Sequence, residues 1–130
     1  GTGENSIVKL QNENLNLLYL AFVERWTVDL IQWLQKWYQQ NCNHVWENFC
    51  GIEIGTLDNP GWYVHINLEA TPFEGLVMKE LRRENGENDW LVCKISDHVF
   101  EGVGDSFKLK EILETFRNLI EKQEEQKTTI

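Results

Sequence analysis

Residues 51–69, GIEIGTLDNPGWYVHINLE, admit few structures. Ile52 and Ile54 alternate with Glu53 and Gly55, and Trp62, Val64, Ile66 and Leu68 alternate with Tyr63, His65, Asn67 and Glu69. A period of two belongs to a sheet with one face on a core and the other in water. Between the arms, Asp58-Asn59-Pro60-Gly61 reads as a type II turn, with Pro60 presetting φ at its second position and Gly61 supplying the positive φ of its third. The expected unit is a β-hairpin.

The pattern recurs downstream. Residues 76–83 alternate again, with both faces mixed as on an edge strand. ENGEND at 84–89 is a turn containing Asn-Gly, and residues 90–95 form a further strand with Leu91, Cys93 and Ile95 opposite Trp90 and Val92. A short Val99-Phe100 strand extends the run before Gly102 and Gly104 loosen the backbone at 101–106. Helical stripes flank these strands. Thr27 caps a helix carrying Val28, Ile31, Leu34 and Tyr38, with Leu30, Trp33 and Trp37 beside them, that ends near Asn41. Leu109, Ile112, Leu113, Phe116, Leu119 and Ile120 give a one-sided stripe of about four turns. Between the first helix and the hairpin, NCNHVWENFC suits a loop that drops Trp46 and Phe49 onto the sheet.

Hairpins between two amphipathic helices, without strand-helix alternation, predict an α+β domain. The expected architecture is an antiparallel meander of four to five strands, flanked by an N-terminal and a C-terminal amphipathic helix packed on one face. At 130 residues the chain fits one domain with a core of its own. We place it at 27–124, after a polar leader at 1–9 and an extension at 10–26 whose apolar run suits either helix or strand, and before a charged tail at 125–130 that should fray.

Charge narrows the partners. Twelve Lys plus Arg against 21 Asp plus Glu give a formal net charge of −9, which disfavours a phosphate backbone as direct ligand and favours a basic partner or simple solubility. No apolar run reaches the length of a membrane span, and none has the flanks of a signal peptide. The cysteines Cys42, Cys50 and Cys93 are odd in number and lack C-x-x-C spacing, as in a reduced, cytoplasmic setting.

Catalytic chemistry finds little purchase. Glu47, Glu53, Asp58, Glu69, Glu101 and Asp105 read either as a solvated acidic surface or as the lining of a binding surface, and no fixed spacing joins an acid to a base among them. Cys42, His44, Cys50, Cys93 and His98 lack zinc-site spacing, and Gly102-x-Gly104 lies between Glu101 and Asp105, the wrong charge for a phosphate cradle. We expect neither metal nor cofactor. Trp33, Trp37, Trp46, Trp62 and Trp90 all fall where core packing explains them, with Trp46 on its loop the best candidate for an interface anchor.

Four fragments in order carry a resemblance: the Trp-Tyr end of LIQWLQKWYQQNCN, the TLDNPGW turn, the DW-x-V-C strand and the FEG-x-G loop. With them the chain resembles the immunity protein 53 family of bacterial polymorphic-toxin systems, from about residue 30 to about residue 121. The resemblance implies a non-enzymatic cytoplasmic protein that binds a cognate toxin and blocks it. An acidic inhibitor suits a toxin with a basic surface. The rival readings are an enzyme acting on a small substrate and a homo-oligomeric structural module. If the loops lie together, the binding surface comprises Trp46, Glu47, Asp58, Asn59, Glu101 and Asp105, with Tyr63 and His65 on the exposed strand face as the next candidates.

Overall fold

The computed structural model describes residues 30–49 and 51–128. The expectations for residues 10–26, for the Thr27 cap and for Cys50 lie outside them. The chain divides into two units, Gly1–Trp33 and Leu34–Ile130. Of the first, only the opening turn of helix α1 (Leu30–Asn41) is described. Everything below belongs to the second.

Helix α1 stops where the sequence places its end. Asn41 turns its side-chain amide back to the Trp37 carbonyl at 2.8 Å, and the backbone NH of Cys42 donates to Gln39 O. A short 3-10 turn, Trp46–Phe49, follows. Asn43 Oδ1 accepts from the NH groups of Val45 and Trp46, while the Glu47 carboxylate reaches back to those of Asn43 and His44. The exchange works as a capping box does, each side chain satisfying donors that a helix start leaves open.

Strands β1 (Ile52–Leu57), β2 (Gly61–Asn67), β3 (Leu81–Glu84), β4 (Trp90–Ser96) and β5 (Val99–Gly104) form one antiparallel sheet in the order β1-β2-β5-β4-β3. The α+β class and the antiparallel sheet agree with the sequence, but the connectivity is not a simple meander. β5 inserts between β2 and β4, pairing Val64 with Gly102 on one side and Cys93 with Gly102 on the other. The chain therefore crosses from β2 to the far edge through residues 68–80 before it can return.

The structure departs from the expected elements at three places. Gly61 lies in β2 without positive φ, so the first hairpin closes through Asp58, Asn59 and Pro60 rather than a type II turn. The glycine serves proximity, since a Cβ there would strike the Gly104 carbonyl oxygen. Gly102 and Gly104 do not loosen the chain, because they sit inside a central strand where a Cβ on Gly102 would run into Ile112. Their absent side chains let a helix approach the sheet. Residues 76–80 alternate like a strand yet stay unpaired in it, and β3 is only four residues long. The link between β4 and β5 is a two-residue turn in which Asp97 and His98 both have positive φ, as type I′ requires.

Helix α2 (Leu109–Thr128) lies on one face of the sheet. Its Ile112, Leu113, Phe116 and Ile120 are buried, as are Val64, Ile66, Leu91, Cys93 and Phe100 beneath them. Phe116 is the hub, 5.1 Å from the Phe100 ring and edge-on to Trp37 at 4.9 Å. α1 joins this layer through Trp37, which also meets Trp46 at 5.6 Å and Phe73 at 6.2 Å. Of the N-terminal and C-terminal helices expected on one face of the sheet, α2 packs there, and α1 is described only from Leu30.

Candidate functional site

Side chains on successive strand residues point to opposite faces, so the register fixes what lies opposite α2. One row crosses all five strands: Gly55, Tyr63, Val103, Val92 and Arg82. The adjoining row is Glu53, His65, Glu101 and Lys94. Tyr63, His65, Glu101, Val103 and Val92 are half-buried, while Glu53, Arg82 and Lys94 are exposed.

Several contacts hold this face in shape. Tyr63 lays its ring where a Gly55 side chain would stand and donates its hydroxyl to Glu53 Oε1 at 2.8 Å. That bond, with some burial, keeps the Tyr63 hydroxyl above the usual tyrosine range. The His65 ring sits 5.1 Å from that of Tyr63. Lys94 approaches Glu101 at 3.8 Å, and Arg82 pairs with Glu84 at 2.7 Å and Glu80 at 3.4 Å. Between them His65, Arg82, Val92, Lys94, Glu101 and Val103 enclose a shallow depression of about 340 Å³.

The residues singled out from the sequence do not assemble into one surface. Trp46 is 1% exposed and donates its indole NH to the Asn67 carbonyl at 2.6 Å, so it belongs to the core and is not displayed as an anchor. Its neighbour Phe49, expected on the sheet, is the exposed one at 68%. Glu47 is spent on the 3-10 cap, where backbone NH groups, its own foremost and those of Asn43 and His44 with it, hold its carboxyl below the ordinary range.

Asp105 is likewise interior. Burial alone would raise its pKa, but the NH groups of Trp90 and Phe107, both at 2.8 Å, and Lys108 at 3.0 Å outweigh that and lower it. Lys108 is shared with Asp89, which Asn85, Lys108 and Arg83 keep ionised below its usual range. Asp58 and Asn59 are exposed in the first hairpin turn. That turn lies at the Leu57–Gly61 end of the hairpin, whereas Trp46 binds beside Asn67 at the other, a strand length of roughly 20 Å away. Of the loops assumed adjacent, the 46–49 turn sits at one end of the sheet, while the 58–60 turn and Asp105, which follows the Gly104 strand end against Gly61, sit at the other.

Glu101, Tyr63 and His65 are brought together, and Glu53, Val92, Val103, Lys94 and Arg82 join them. The sequence signal for that company was strand parity, which needs the β2–β5 pairing before it can be used. Burial pushes the Cys93 thiol up to about 11, so it remains protonated beneath α2 and is a poor nucleophile. Among the described residues no group of three or more His, Cys, Asp and Glu is placed to hold a metal ion, and no helix is long and apolar enough to cross a membrane.

Neither a curated protein nor a solved structure matches the chain. A family model does: immunity protein 53 matches residues 31–121, which takes in most of α1, the whole sheet and the sheet-packing part of α2. With the fold spanning that match, the chain belongs to the immunity protein 53 family.

Proposed function

We propose that the protein binds a cognate polymorphic toxin in the cytoplasm and neutralises it by covering its active surface, without chemistry of its own. The family match over 31–121 carries this reading. The charge of −9 supports a basic toxin surface, toward which such a protein is steered electrostatically. The protonated Cys93 beneath α2 and the engagement of Glu47 and Asp105 with backbone NH groups support a non-enzymatic role.

Co-expression tests the proposal. The gene beside this one should encode a large secreted protein with a variable C-terminal domain, and that domain, toxic when expressed alone, should be tolerated when this protein is present. A purified mixture should form a stable complex by size exclusion. Toxicity undiminished by a well-expressed, folded protein would remove the reading.

A further inference from the structure

From the half-exposed face of the sheet we infer that the toxin is met there, with the row Tyr63, Val103 and Val92 as the apolar centre of the contact and a basic protein surface as its occupant. This inference rests on the immunity reading. The centre joins β2, β5 and β4, the strands on which α2 packs from behind. Half-buried aromatic and β-branched side chains bounded by charges have the anatomy of an interface core and its rim.

The charge of the rim selects the partner. Glu53, Glu80, Glu84 and Glu101 stand against Arg82 and Lys94, and both cations already face carboxylates of the same surface. The surplus is negative, in keeping with the whole chain. The depression has an apolar floor in Val92 and Val103, and Arg82 and Lys94 line it together with Glu101. The negative surplus of the face therefore lies around the depression, at Glu53, Glu80 and Glu84, where a basic partner surface meets the rim rather than the centre.

The probe is the C-terminal domain of the toxin encoded beside this protein, titrated against the full chain and its variants by calorimetry. Val103→Arg should weaken binding about 100-fold by placing a cation and extra bulk at the centre, and Glu101→Lys about tenfold, the latter more at low salt than at high salt. Val77→Asp, on the connector at 81% exposure, should bind as the unaltered chain does. Circular dichroism melts establish that each variant folds, and Glu53→Lys, at an exposed edge position, carries the test should Val103→Arg unfold. Binding by the unaltered chain together with affinities within threefold for Glu101→Lys and the folded central variant would overturn this surface and leave the immunity reading intact. Absence of binding by the unaltered chain would overturn both. A dimer dissolved by Val103→Arg, with toxin affinity unchanged, would assign the face to a second copy and overturn the inference.

Discussion

The two faces of the sheet are built from the same strands and spend them differently. On the α2 side Val64, Ile66, Leu91, Cys93 and Phe100 are fully buried, and glycine at 102 lets the helix approach. On the other side Val92, Val103 and Tyr63 stay half-exposed among charges. Stability is concentrated on the first face, which leaves the second free to vary with a partner. Substitutions that separate folding from binding sharpen this contrast, and those that mix them break it.

The largest effect belongs to Phe116→Ala, which removes the ring joining Phe100 to Trp37. It should cost about 3–5 kcal/mol in chemical denaturation, enough to threaten folding of a domain of ordinary stability. Gly102→Ala forces a methyl group against Ile112 and should cost about 1–3 kcal/mol by overpacking, read as a lower denaturation midpoint with an unchanged slope.

Asp105→Ala should cost about 1–2 kcal/mol, because the NH groups of Trp90 and Phe107 lose their charged acceptor. Its pH dependence gives a finer test. The folded-state pKa of Asp105 lies below that of the unfolded chain, so its contribution is fully present above the unfolded value and is lost as pH falls through the folded one. Thermal melts of the unaltered protein should therefore decline below about pH 4, and those of Asp105→Ala less steeply. The smallest effect is expected for Val103→Thr on the half-exposed face, where melting should change by about 0.5 kcal/mol or less. A loss as large as that of Gly102→Ala would mean that the two faces are not divided as described.

Much of this contrast was legible in the sequence, and the reasons differ from place to place. Parity along residues 61–67 separated Val64 and Ile66 from Tyr63 and His65, and the stripe from Leu109 to Ile120 identified the face of α2, because local periodicity encodes burial. Strand order was hidden, because pairing β2 with β5 brings His65 to Glu101 across a sequence gap no local pattern spans. The pair of glycines in β5 read as breakers for the same reason: the helix that requires them begins only at Leu109. Trp46 and Asp105 looked displayed because they fall between regular elements, yet their partners Asn67 and Trp90 draw them inside. Residues 76–80 have the alternation of a strand and remain outside it.

Of the five described strands, β5 is the last to leave the ribosome and the middle one in space. Until it arrives, β1–β2 and β3–β4 are separate hairpins, each with an open edge that β5 will later occupy. Sheet assembly therefore waits for residues 99–104 to be synthesised and to become free of the exit tunnel. A nascent chain stalled before that point carries two sticky edges and no shared core, a state open to aggregation. The half-exposed face spanning β2, β5 and β4 then exists only once β5 has paired with both hairpins, so the place of one strand decides when that surface first forms.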